Sequence, residues 1–68
     1  MKRRPDGLDD MERIVAHGMR REWRLSLRDA TERFEAGRRW TAERRGWSAR
    51  ELQRSLRAMR CDLTAVWA

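Results

Sequence analysis

The chain has 68 residues, of which 17 are basic and 11 acidic, for a formal net charge of +6. A chain of this length holds one small domain, which buries only about 60% of the surface its unfolded form exposes. With one cysteine, Cys61, and one histidine, His17, neither an internal disulfide nor a thiolate/imidazole zinc set can form, so stability rests on helix packing, self-association or a partner.

The basic excess favours negatively charged partners: nucleic acid, acidic proteins or an anionic lipid surface. Lys2 is the only lysine. Planar guanidinium forks suit phosphate and guanine edges, although a GC-rich coding sequence produces the same bias. A lone thiol fits a reducing compartment, and cytoplasm is the expected location. Met1-Lys2-Arg3-Arg4 is followed by Pro5-Asp6-Gly7 and not by the apolar run of a secretory signal. No apolar stretch approaches the roughly 20 residues that span a bilayer.

In chain order, residues 1–7 read as a basic tail, and 8–68 as a single helical domain. Asp9 is the predicted N-cap of the first helix, with Glu12 three residues on to complete a capping box. Leu8, Met11, Val15, Met19, Trp23, Leu27, Ala30 and Phe34 then recur three or four apart, the stripe of a helix several turns long. The steps shorten after Trp23, which places a phase change at Leu25-Ser26-Leu27, where Ser26 and Asp29 offer a second cap. One curved helix or two helices meeting near Ser26 both satisfy this pattern. Gly18 weakens the first part by about 1 kcal/mol relative to alanine, or lets another backbone approach. Acid-base pairs four apart are expected at Asp9 with Arg13, Asp29 with Arg33 and Glu35 with Arg39. Gly37 or Gly46 ends the helix.

Ser48 is the strongest N-cap, with Glu51 at the third helical position. Leu52, Leu56, Met59, Leu63 and Val66 follow at alternating steps of four and three, while Arg50, Arg54 and Arg57 project from the opposite side. The expected fold is therefore all-α. A long, bent helix from about Asp9 to Arg44 turns at Gly46 into a shorter antiparallel helix from Ala49 to Val66. An oligomer or a larger partner completes the thin two-helix core.

Residues 42–56 resemble the core of a helix-turn-helix DNA-binding motif. Ala42, Gly46, Trp47, Ser48, Leu52 and Leu56 occupy its small, turn, apolar and cap positions; Thr41 and Arg45 depart from it, standing where the motif has apolar residues. The resemblance implies a recognition helix from Ala49 that presents Ser48, Ala49, Arg50, Gln53 and Arg54 to a major groove, with Arg suited to guanine and Gln to adenine.

The leading expectation is a small nucleic-acid-binding regulatory or accessory protein, acting on DNA. Its contacts are Arg38, Arg39, Arg44 and Arg45 at the joint, and Ser48, Arg50, Gln53, Arg54 and Arg57 on the last helix. The alternative is a protein-interaction module, an adaptor, inhibitor or small subunit, docking through Met19, Trp23, Phe34, Leu52, Leu56, Met59, Leu63 and Trp67. A peripheral membrane helix rich in Trp and Arg is a third reading. Trp40 and Trp47 sit among arginines, where cation–π packing is expected, and Trp67 at the C-terminus is expected to need a partner or second copy. Catalysis, a cofactor and a metal are not expected: His17 has no nucleophile in a recognisable arrangement, and nothing besides neighbouring arginines marks Cys61.

Overall fold

The computed structural model describes residues 7–68; the tail expected over 1–7 lies outside them except for Gly7. Three helices follow one another: α1 (Asp10–Arg21), α2 (Leu27–Arg45) and α3 (Ala49–Trp67). The all-α class holds, but the helix expected from Asp9 to Arg44 is two helices, and α3, with 19 residues, is as long as α2.

The caps set the boundaries. Asp9 and Glu12 form a reciprocal capping box at the start of α1: the Asp9 carboxylate accepts from the Glu12 N–H at 2.7 Å, and the Glu12 carboxylate accepts from the Asp9 N–H at 3.0 Å. Ser48 and Glu51 do the same for α3. Ser26 caps α2 by accepting from the Asp29 N–H at 3.1 Å. Helix α2 runs through Gly37 and stops at Gly46, whose φ of 70° is the left-handed cap conformation that glycine adopts without a Cβ penalty.

The break between α1 and α2 has no glycine or proline. The Trp23 N–H bonds back to the Gly18 carbonyl and the Leu25 N–H to the Met19 carbonyl, and Arg24 takes a left-handed φ of 56°. For a non-glycine residue that conformation costs roughly 1–2 kcal/mol. Trp67, at the far end of α3, donates its indole Nε1–H to the carbonyl of the next residue, Leu25, at 3.1 Å. Trp67 thus finds its partner within the chain, half-buried against the α1–α2 linker.

Helices α2 and α3 form an antiparallel αα-hairpin. Contacts pair residues about equally far from the turn: Arg38 with Ser55, Glu35 with Arg60, Leu25 with Trp67. Glu35 lies about 16 Å along the axis from Gly46 at 1.5 Å per residue. Of the residues that carry the helix-turn-helix resemblance, Ala42 lies near the end of α2, Gly46 is its left-handed cap and Ser48 is the N-cap of α3.

Helix α1 lies over the hairpin and supplies the cover that a two-helix reading assigns to an oligomer or partner. Leu8, Ala16, Leu56, Met59 and Leu63 form the core, with Leu27, Phe34, Leu52, Val66 and Trp67 packed against it. Ala16 and Ala30 are fully buried and Ala42 nearly so.

A polar node fastens the three helices together. Arg38, only 7% exposed, donates to the Ser55 hydroxyl of α3 at 2.6 Å, to both Glu12 carboxylate oxygens of α1 at 3.0 and 3.2 Å, and to the Gly7 carbonyl at 3.2 Å. Nearby, Asp62 accepts from the Leu8 N–H at 2.8 Å and faces Arg13 at 3.6 Å. A Cβ at Gly7 would meet the Asp62 carboxylate, so Gly7 packs closely beside α3.

None of the three expected acid-base pairs is present among the described residues. Arg13 pairs with Asp62, Glu35 pairs with Arg60 across the hairpin, and the one pair four apart among these residues is Arg28 with Glu32 at 3.9 Å. Side chains near a helix–helix seam find partners on the facing helix, which a single-helix pattern does not reveal.

Candidate nucleic-acid interface

The charge is unevenly distributed. Residues 7–35 carry six arginines against seven acids, whereas 36–68 carry eight arginines against three acids. The basic excess of the described residues thus belongs to the second half of α2, the turn and α3.

On α3 the buried residues Ser55, Leu56, Met59 and Leu63 face the other two helices, and the helical period sends Arg50, Arg54 and Arg57 to the opposite side. All three are exposed and form no ion pair among the described residues. Glu51, one turn from Arg54, has its carboxylate engaged by the Ser48 N–H at 2.8 Å. At 1.5 Å per residue, the three arginines follow each other along about 10 Å of helix. Cys61, exposed, continues the same face one turn beyond Arg57.

Around the turn, Arg39, Arg44 and Arg45 are exposed. The Arg44 guanidinium lies 4.6 Å from the centroid of the Trp40 ring, a cation–π contact between residues four apart, with Trp40 itself 61% exposed. Trp47 is half-buried at the turn. Gln53 is exposed on α3, and the Ser48 hydroxyl oxygen is occupied by its cap hydrogen bond from the Glu51 N–H. Thr41 is half-buried and Arg45 exposed.

Arg38 is removed from this surface. Its guanidinium is enclosed by Glu12, Ser55 and the Gly7 carbonyl, so it holds the helices together instead of facing a ligand. Its place is readable in the sequence: Ala30, Phe34, Arg38 and Ala42 are spaced by four, which sets the arginine on the buried stripe of α2.

The expected docking residues also sit differently from the two-helix reading. Leu56, Met59 and Leu63 are fully buried within the chain, Met19 is nearly so, and Phe34, Leu52 and Trp67 pack around the core. Trp23, just past α1, is 64% exposed. Besides Trp23 and Trp40, the large apolar side chains that remain exposed among the described residues lie on α1, at Met11, Ile14 and Val15. Ile14 falls outside the three-four stripe, and its place beside Val15 is the signal that α1 carries apolar residues on more than its core face.

No helix among the described residues is long and apolar enough to cross a membrane, and no group of three or more His, Cys, Asp or Glu among them is placed to hold a metal ion. Compared with protein-family models, with curated proteins and with solved structures, the chain matches none. The functional reading rests on its own residues.

Proposed function

We propose that this protein binds nucleic acid, DNA in the first instance, through the outer face of α3 and the basic turn beside it, as a small regulatory or accessory protein. The observation that carries the reading is the strip Arg50, Arg54, Arg57: three exposed arginines along one helix face, none engaged by an acid among the described residues. Unpaired surface arginines repel one another, and a polyanion relieves that repulsion while releasing its own counterions.

The strip belongs to a helix of about 10–12 Å diameter whose opposite side is held by α1 and α2, and a major groove about 12 Å wide admits such a helix. Phosphate contacts dominate this mode: Arg50, Arg54 and Arg57 supply three, and the exposed Arg39, Arg44 and Arg45 of α2 are the further contacts proposed. Six contacts imply a loss of about a thousandfold in affinity between 50 and 200 mM salt. Fluorescence anisotropy with a labelled duplex over that range tests the proposal; an affinity unchanged by salt rejects it.

A protein-interaction role is the second reading, favoured by Met11 and Ile14, which leave α1 with exposed apolar surface. The docking stripe expected on Leu52, Leu56, Met59 and Leu63 does not serve it, because those side chains pack inside the chain.

A further inference from the structure

Helix α1 carries an apolar face that the fold does not use. Met11 is 68% exposed, Ile14 66% and Val15 38%. Together with Gly18 they occupy positions i, i+3, i+4 and i+7, one continuous strip along about 10 Å of helix. Nothing lies within 4 Å of the point where a Gly18 Cβ would stand. No contact among the described residues therefore requires glycine here, in the middle of a helix that it weakens.

The strip is self-complementary. Asp10 borders it at its N-terminal end and Arg21 at its C-terminal end, both exposed, on the same lateral edge, and neither in an ion pair among the described residues. When a second α1 is laid antiparallel across it about a twofold axis, Met11 of each copy falls over Gly18 of the other. Ile14 and Val15 meet their own equivalents at the axis, and Asp10 of each copy comes beside Arg21 of the other. An isologous interface needs a patch complementary to itself under that rotation, and knob over hole, apolar centre and opposite end charges satisfy it. A polyanion or an anionic membrane gains nothing from a strip with one acid and one base at its ends.

We infer that α1 is the interface of a homodimer in which two chains pack antiparallel through Met11, Ile14, Val15 and Gly18, with reciprocal Asp10–Arg21 ion pairs. This rests on the protein-interaction reading of α1 and is independent of nucleic-acid binding by α3. The strip is short, so the association belongs to the small-interface class and depends on concentration.

Sedimentation equilibrium reads it directly. The mass rises from 8.2 kDa toward twice that value as the protein goes from about 10 µM to about 1 mM, the regime of small, transient interfaces. Ile14→Glu raises the dissociation constant at least about tenfold, because it buries an unpaired carboxylate at the axis; Ile14 lies outside the core, so the far-UV spectrum and melting temperature stay close to wild type. Asp10→Arg and Arg21→Asp each weaken self-association when alone, and an equimolar mixture of the two restores it, since both cross-chain pairs become attractive. A wild-type chain that stays monomeric throughout overturns the inference. So does a dimer indifferent to Ile14→Glu, or a mixture of the two charge variants that associates no better than either alone.

Discussion

Replacing Arg38 with alanine should cost this small domain a large part of its stability. The guanidinium donates to Ser55, Glu12 and the Gly7 carbonyl, and the arginine side chain is 8% exposed while that of Glu12 is 30% exposed. Breaking a fully buried pair by removing one partner costs about 3–5 kcal/mol. Because Glu12 keeps contact with water, the cost is discounted to about 2–3 kcal/mol. A domain of 68 residues has a total stability of roughly 3–10 kcal/mol. The melting temperature should fall by roughly 10–20 °C at about 4–8 °C per kcal/mol. Urea unfolding followed by circular dichroism measures it, and Arg38→Ala combined with Glu12→Gln in a double-mutant cycle isolates the pair. A loss below about 0.5 kcal/mol, the size of a surface substitution, would refute the burial argument. Below its melting temperature Arg38→Ala should bind DNA like wild type, because the side chain does not face the basic surface.

Glycine-to-alanine substitutions should differ in sign along the chain. Gly18→Ala and Gly37→Ala meet nothing within 4 Å and should stabilise by about 0.5–1 kcal/mol, whereas Gly46→Ala, at φ +70°, should destabilise by about 1–2 kcal/mol in the same urea assay. Trp67→Phe removes the hydrogen bond to the Leu25 carbonyl and should cost about 1 kcal/mol, with hydrogen exchange rising first around residues 22–26. Cys61 lies one turn beyond Arg57 on the exposed face of α3. If DNA occupies that face, duplex should slow the reaction of the Cys61 thiol with a maleimide at low salt and release it at high salt.

The local chemistry of this fold is readable in the sequence. Asp9 with Glu12 and Ser48 with Glu51 give helix starts from residues three apart, and Gly46 gives a stop, because each device acts within one turn. The seam of α3 is legible for the same reason: Leu52, Leu56, Met59 and Leu63 repeat with the helix period. What escapes such a reading depends on distant residues. A junction near Ser26 is one of the two readings that the stripe allows, but what decides for it lies outside the local pattern: Arg24 is left-handed, and the Leu25 carbonyl beside it accepts from Trp67, 42 positions away. The spacing of Ala30, Phe34, Arg38 and Ala42 sets Arg38 on the buried stripe of α2, but its partner Glu12, 26 positions away, is seen only once α1 is folded beside it. Of the candidate site, the Arg50, Arg54 and Arg57 face follows from periodicity alone, whereas the third helix that consumes the expected docking stripe does not.

The two candidate faces do not compete. The α1 strip and the outer side of α3 belong to different helices, and the α3 strip points away from both of its neighbours. A dimer through α1 would therefore present two basic strips, and binding both to one duplex would raise the apparent affinity without any new type of interaction.

Phosphate binding by Arg50, Arg54 and Arg57 is tested most directly by comparing the salt dependence of duplex binding for wild type and for a chain carrying Arg50→Gln, Arg54→Gln and Arg57→Gln. These residues lie outside the core, so the substituted chain should keep its helical spectrum. The slope of log K against log salt should become shallower by about 2.7, since each neutralised phosphate contributes about 0.9. An unchanged slope and affinity in the folded triple variant would contradict a phosphate-binding role for this face.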